Sequence, residues 1–425
     1  MSALHRSTNA GAAWRAALLA LLAWGALLGA APAAEPEGGP QGKALRKLAP
    51  ITAADPLIVH TLYTWYTHDS FKDASVQPLE PFSSDDAEYY RAYFSKLRPN
   101  GVDVIAGVLT GLPGERRPDG SPLPTAYQAE NLMKILPLVG SAGMKFFIYY
   151  DTAIRSYWKN RLSTDELDMR DPRLRRQFLD DFAWIADEVV KKNQDDYLFL
   201  QTQDGRTVVD DTGMPRPVIG IYIARALRDA PGFAALRRVL NDELAGLFHR
   251  KGLGRPALVL DVVFWGGTTF DSDLVAAFGE NVAALTSFCP VYPREDVHRL
   301  GDWVPLFEGL YAQAAKEMAA LARWGVLDPS LQFWPGIMPN FETKRDKSAR
   351  AVDLQDWEAM LRTGLRSTVR LQAAPEENPV RAMTIIYTDE YYEGTPFLTR
   401  DGLYTLPLTV QGNVLKEFGI RLEKF

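Results

Sequence analysis

The sequence predicts a single (β/α)8 barrel. Short apolar runs rich in β-branched and aromatic residues alternate with longer amphipathic segments, and each kind comes eight times. The runs are apolar at consecutive positions, as expected of strands covered by an inner core and an outer helix layer. No Gly-rich phosphate turn follows the first run, which weighs against an open doubly wound sheet.

The expected strands span 57–63, 102–108, 145–150, 218–223, 257–264, 285–290, 332–337 and 383–388. Helices are expected between them at 84–97, 126–141, 172–193, 232–250, 271–278, 306–324 and 354–372, with a last one within 407–419. In the segment 172–193, Phe178, Phe182, Ile185 and Val189 recur at spacings of three and four, with acids and lysines between them. No internal repeat, low-complexity tract or interdomain linker breaks the alternation, so 55–425 is read as one barrel domain.

Ahead of it, His5, Arg6 and Arg15 precede the apolar run 16–30, and Ala31-Pro32-Ala33 offers a small-residue cleavage site. Residues 1–33 are read as a Sec-type signal peptide, the alternative being an uncleaved anchor. The run is short for a membrane span, which needs about 20 residues. Residues 34–54, rich in Gly, Pro and charge, are read as a flexible leader. Cys289 is the only cysteine, so no internal disulfide can form. An exported protein without disulfides points to a bacterial periplasmic or secreted setting.

Hydrophobic residues make up 47% of the chain and suffice for a large core. The formal charge of -6 becomes -8 once the two arginines of the signal are removed, which argues against nucleic acid or anionic lipid as partner. With the signal removed, no membrane association is expected either. Five histidines, one of them in the signal, leave little room for a His-based metal centre. No HExxH, CxxC, P-loop, GxSxG or GxGxxG pattern occurs, so neither a metal nor another cofactor is expected. The oligomeric state is not legible.

In a barrel the chemistry belongs at the C-terminal ends of the strands. The first strand runs into Tyr63, Trp65 and Tyr66, the third into Asp151 and the fourth into Tyr222. The fifth carries Asp261, the sixth leads to Tyr292, and the seventh holds Trp334. The eighth leads into Asp389-Glu390-Tyr391-Tyr392-Glu393-Gly394-Thr395. Rings and acids at strand ends suit an uncharged oligosaccharide, because pyranose faces stack on rings and hydroxyls donate to carboxylates. Glu390 and Glu393 are three apart after an apolar strand, a pairing suited to acid/base work on a glycosidic bond. Plainer readings stand beside these. Tyr63, Trp65 and Tyr66 equally describe an aromatic plug, Asp151 a helix cap, and Asp261 a structurally hydrogen-bonded carboxylate.

The Glu-x-x-Glu-Gly-Thr of Glu390–Thr395 after a terminal strand resembles the strand-eight signature of the endo-α-mannosidase-like glycoside hydrolases, family 99 and relatives. Tyr63-Thr64-Trp65-Tyr66, Gly101-Val102-Asp103-Val104, Gly143-Met144-Lys145, Asp151 and Pro335-Gly336 follow in the same order across nearly the whole chain. The resemblance implies retaining hydrolysis of internal α-mannosidic bonds without a metal. It implies that Glu390 deprotonates the sugar's 2-hydroxyl and that Glu393 is the general acid and base. The strand-end reading, for its part, makes Tyr63, Trp65, Tyr66, Asp151, Tyr222, Asp261, Tyr292, Trp334 and Tyr392 the candidate sugar-binding residues. Thr388-Asp389 stands where the family has Trp-Asn, Tyr391-Tyr392 where it has Trp-His, and Asp151 where it has a glutamate. The expectation is therefore a secreted or periplasmic glycoside hydrolase of an α-linked, mannan-like polysaccharide. The alternative is a non-catalytic carbohydrate-binding barrel linked to exopolysaccharide assembly or uptake.

Overall fold

The computed structural model describes residues 55–70, 82–116, 119–152, 167–222, 224, 227–228, 237–261, 279–287, 309, 311–314, 316, 318, 320, 323, 331–337, 354–371, 380–388 and 405–425. All of them fall within the unit Pro50–Phe425. The signal peptide, the leader and the expected helix 271–278 lie outside the described residues.

Strand β1 (Leu57–Leu62) pairs in parallel with β2 (Val104–Leu109), and β2 with β3 (Lys145–Asp151). A two-residue β4 (Leu167–Asp168) follows, then β5 (Val218–Tyr222) beside β3 and a two-residue β6 (Leu227–Arg228). Strand β7 (Ala257–Asp261) pairs with β5, and β8 (Val282–Thr286) with β7. The expected run 332–337 divides into β9 (Gln332–Phe333) and β10 (Gly336–Ile337) around Trp334-Pro335. Strand β11 (Met383–Ile386) pairs with both β10 and β1.

The main sheet therefore has nine parallel strands where the sequence leads one to expect eight, in the order β10-β11-β1-β2-β3-β5-β7-β8-β9. Pro335 explains the extra member, because it has no N–H to give a ladder. The two halves around it turn to different neighbours. Trp334 N–H still reaches Leu285 O at 2.8 Å, and Pro335 O still accepts Ile385 N–H at 3.1 Å. The sheet thus curls until its first and last strands are two residues apart in the chain. Strand β8 begins at Val282, earlier than expected, because Val282-Ala283-Ala284 has little apolar bulk to mark it. The separate β4–β6 pair is too short for any periodicity to reveal.

The helices keep the apolar stripes the sequence shows. Asp86 caps α1 (Ala87–Leu97), accepting from the N–H groups of Glu88 and Tyr89 at 3.0 and 3.1 Å, and the buried residues are Tyr90, Tyr93, Phe94 and Leu97. Pro124 opens α2 (Pro124–Ser141) and Pro172 opens α3 (Pro172–Trp184), where the missing N–H would have had no partner anyway. Beyond Trp184 the winding widens to a π-turn over Ile185–Val190 and tightens to a 3₁₀ turn over Lys191–Asn193, while Phe178, Phe182, Ile185 and Val189 all stay buried. A π-turn over Arg238–Leu244 leads into α4 (Ala245–Arg250). Two more helices, α5 (Leu354–Leu371) and α6 (Thr405–Glu417), pack on each other.

Alternation along the strands separates the layers. On β3, Tyr150 donates to Asp181 of α3 at 2.7 Å and packs against Phe178 and Phe182, so it faces the helices. Its neighbour Tyr149 faces the sheet interior, where its hydroxyl lies 2.9 Å from that of Tyr387. Two glycines make room for these rings. A Cβ on Gly220 would sit 1.8 Å from the Tyr149 ring, and one on Gly336 2.6 Å from the Tyr387 ring.

On the helix-facing side of β1, His60 is fully buried, with Nε2 3.0 Å from Oε1 of Gln411 on α6. Burial holds its pKa down to about 3, against a smaller upward pull from Gln411. In the unfolded chain the ring takes a proton near pH 6.5, whereas in the fold it stays neutral until about pH 3. Stability is therefore fully present above 6.5 and falls as the pH drops towards 3, by roughly 5 kcal/mol in all. Urea unfolding across this window is expected to show the loss in the wild type and a flatter profile in His60→Asn. Equal slopes would refute it.

The N-terminal ends of the strands are closed by the chain's last residues. Lys424, with no exposed side-chain surface, places Nζ 2.6 Å from Oδ2 of Asp103, which is equally buried. Asp103 also accepts Ile58 N–H at 2.9 Å and faces Arg98 at 3.4 Å. Asp55 binds Arg381 at 2.9 Å and Arg421 at 2.6 Å, with Lys424 3.9 Å away. These charges join the segments that enter β1, β2 and β11.

Candidate functional site

The parallel register sets one row of side chains across four neighbouring strands at their C-terminal ends. Asp151 stands opposite Tyr222, and Asp261 opposite Thr286. Tyr222 and Asp261 each follow the last registered pair of β5 and β7, Ile221 with Leu260. Asp151 shares the inward parity of Tyr149, and Tyr222 packs on Tyr149 with ring centroids 5.7 Å apart. The row thus carries two carboxylates with a tyrosine between them and a threonine hydroxyl at one end. Asp151 and Asp261 are 1% and 0% exposed, which places carboxyl groups where water is scarce and a hydrogen bond to a hydroxyl is worth most.

Beneath the row lies the tyrosine pair. Burial pushes the Tyr149 hydroxyl well above its ordinary range, with Tyr387, the Asp261 carboxylate and Tyr63 adding to it. Tyr387 is raised likewise, by burial first and Asp261 second. Both stay protonated, and one donates to the other. Tyr311 donates to Gly336 O at 2.5 Å and borders Tyr387. The Tyr311 hydroxyl and the Tyr387 N–H, which donates to Ile337 O at 2.9 Å, thus secure the second half of the split seventh run.

The aromatic end of β1 divides in two. Tyr63 stacks obliquely on Trp65, centroids 4.6 Å apart at 37°, and Trp65 is half-buried. Tyr66 is fully buried and packs edge-on against Phe82 at 5.9 Å, its N–H donating to Ser84. It belongs to an aromatic cluster with Tyr90. Trp334 is fully buried too, and its indole N–H donates to Gln332 at 2.5 Å.

Of the expected site residues, the structure brings together Tyr63, Trp65, Asp151, Tyr222 and Asp261. Tyr149 and Tyr387 link them, and neither was among the site residues expected from the sequence. The signal was the spacing of two, which puts Tyr149 on the face of Asp151. Tyr66 and Trp334 are set among scaffold residues. Tyr292, Glu390, Tyr392 and Glu393 lie outside the described residues.

Among the described residues, Asp210, Asp211 and His249 bring potential metal-ligand atoms within 4.8 Å of one another. Asp210, however, already accepts from His249 Nε2 at 2.7 Å, Arg255 N–H at 2.6 Å, and the Thr212 N–H and hydroxyl at 2.9 and 2.6 Å. Burial alone would raise its pKa, yet these donors together hold it well below the carboxylate range. The cluster is a locked turn on the way into β5, remote from the strand ends that carry the row.

No family model matches the chain, and no curated protein does. Solved structures do. A glycoside hydrolase-like protein is similar over 89% of this chain and 97% of its own, with a TM-score of 0.57 and 13% identity. The GH99 endo-α-mannosidase from Bacteroides thetaiotaomicron, in complex with bis-tris-propane, is similar over 86% and 98%, with a TM-score of 0.53 and 12% identity. A second structure of that enzyme gives 0.51 at 13% identity. At such identities the likeness is one of fold, and this fold is similar to that of the family whose strand-eight signature the sequence resembles.

Proposed function

We propose that this protein is a secreted or periplasmic glycoside hydrolase that cleaves an α-linked, mannan-like polysaccharide with retention. The curled sheet is read as an eight-stranded barrel whose seventh strand is split at Pro335, in one domain at 55–425 behind a signal peptide (1–33) and a leader (34–54). The observation that carries the reading is the row Asp151, Tyr222, Asp261 and Thr286 at the strand ends, with Tyr63 and Trp65 beside it. Rings offer stacking surface and buried carboxylates offer acceptors, the two things a pyranose needs from a cleft. Similarity in fold to a GH99 endo-α-mannosidase adds to this.

Glu390 and Glu393 are proposed as the working pair. Glu390 takes the proton of the 2-hydroxyl, and O2 forms a bond to C1 while the bond from C1 to the glycosidic oxygen breaks. Glu393 gives its proton to that leaving oxygen. In the second step Glu393 takes a proton from water, water oxygen bonds to C1, the C1–O2 bond breaks and O2 recovers its proton from Glu390. Two displacements at C1 retain configuration. Glu390 must be ionised and Glu393 protonated at the outset, which neighbouring carboxyls achieve by splitting their pKa values.

The test is a reducing-end assay of the full chain on α-mannan and a panel of bacterial exopolysaccharides. New reducing ends from an α-linked polymer are expected. Calorimetric binding without new ends after long incubation would instead favour the non-catalytic carbohydrate-binding barrel.

A further inference from the structure

Building on the assignment of Glu390 above, we propose that Thr61 and Tyr149 are positioning residues that fix the exit of β11, from which Glu390 follows two residues after Thr388. The regular β1–β11 register ends at His60 and Ile386. Beyond it a side chain takes over the ladder's work. Thr388 N–H donates to Oγ1 of Thr61 at 2.9 Å, and the same hydroxyl donates to Thr388 O at 2.9 Å. The Thr388 hydroxyl reaches Thr61 O at 3.4 Å. A hydroxyl has one proton and two lone pairs, so it serves both backbone groups at once, whereas a valine of the same shape serves neither.

One residue earlier, the Tyr387 hydroxyl is held 2.9 Å from that of Tyr149 on β3. Thr61, Tyr149, Tyr387 and Thr388 are each at most 1% exposed, so water cannot replace the lost bonds. The backbone and the side chain that lead to Glu390 are thus held from two different strands. Rigid support of this kind keeps a catalytic group in productive geometry, and a shift of about 1 Å costs on the order of 100-fold in rate.

The test compares Thr61→Val, Thr61→Ser and Tyr149→Phe with the wild type in the full chain, using the reducing-end assay on α-mannan. Thr61→Val is expected to lower kcat about 10- to 100-fold with KM nearly unchanged, and Thr61→Ser to restore it. Tyr149→Phe leaves the backbone clamp intact and is expected to lower kcat several-fold, which covers the case in which Thr61→Val fails to fold. Variants that melt earlier but keep the wild-type kcat would make these contacts merely structural and overturn the proposal. If Glu390→Gln retains full turnover, the reading of the site fails instead. Hydrogen exchange over 383–388 then decides on the clamp itself. Faster exchange in Thr61→Val with wild-type exchange in Thr61→Ser sustains it, and equal exchange in all three overturns it.

Discussion

Glu393→Gln and Glu390→Gln are each expected to lower turnover of α-mannan by about 100- to 10,000-fold, the range that loss of one acid or base commonly costs. Each change keeps the side chain's size and removes only its ability to ionise, so the melting temperature is expected to stay within about 2 °C of wild type. The two variants should then part on a second substrate. An aryl α-mannoside with an acidic phenol departs without a proton, so it relieves the need for Glu393. It does not relieve the need for a base at the 2-hydroxyl. The kcat/KM of Glu393→Gln on the aryl glycoside, which reads the first step alone, is therefore expected to recover towards wild type, and that of Glu390→Gln is not. Recovery in the opposite variant would exchange the two roles, and unimpaired mannan hydrolysis in both would remove the pair from the mechanism.

Lys424→Met is expected to destabilise the fold by about 3–5 kcal/mol, because it leaves the buried Asp103 carboxylate with only the longer contact to Arg98. That is a large share of a total that rarely exceeds about 15 kcal/mol. Burial raises the pKa of Asp103 and lowers that of Lys424, and in both it outweighs their mutual attraction. The pair therefore contributes little net stability, and most of the cost of breaking it comes from the charge left behind. Asp103→Asn combined with Lys424→Met is accordingly expected to recover most of the loss. The amide oxygen still accepts Ile58 N–H, and Arg98 keeps its bonds to Leu422 O and Phe425 O. Urea unfolding of both single variants and the double measures this coupling, and strict additivity of the two losses would contradict it.

Much of the architecture was legible because burial writes itself into composition. A strand covered on both faces must be apolar at consecutive positions, and 57–62, 145–151 and 218–222 read that way in both sequence and structure. The stripe Phe178, Phe182, Ile185 and Val189 marked its helix even where the winding departs from α. The split at Trp334-Pro335 was harder to see. A six-residue apolar run does not reveal that its halves bond to different neighbours. The β4–β6 pair left no pattern at all, since two residues make no period.

For the site, the sequence by itself placed rings and acids at strand ends and assigned the glutamate pair by resemblance. It also determined that Tyr149 and Tyr150 would face opposite ways, since alternation is a property of any strand. Only the tertiary structure decided which of the two entered the interior. Tyr150 went to Asp181 and the phenylalanines of α3, and Tyr149 to Tyr387, a residue 238 positions away. Only the register put Asp151, Tyr222, Asp261 and Thr286 in one row and sent Tyr66 and Trp334 into the scaffold. The reason is physical: hydropathy is carried by each residue alone, whereas a row across four strands depends on the relative shift of segments the chain brings together only on folding.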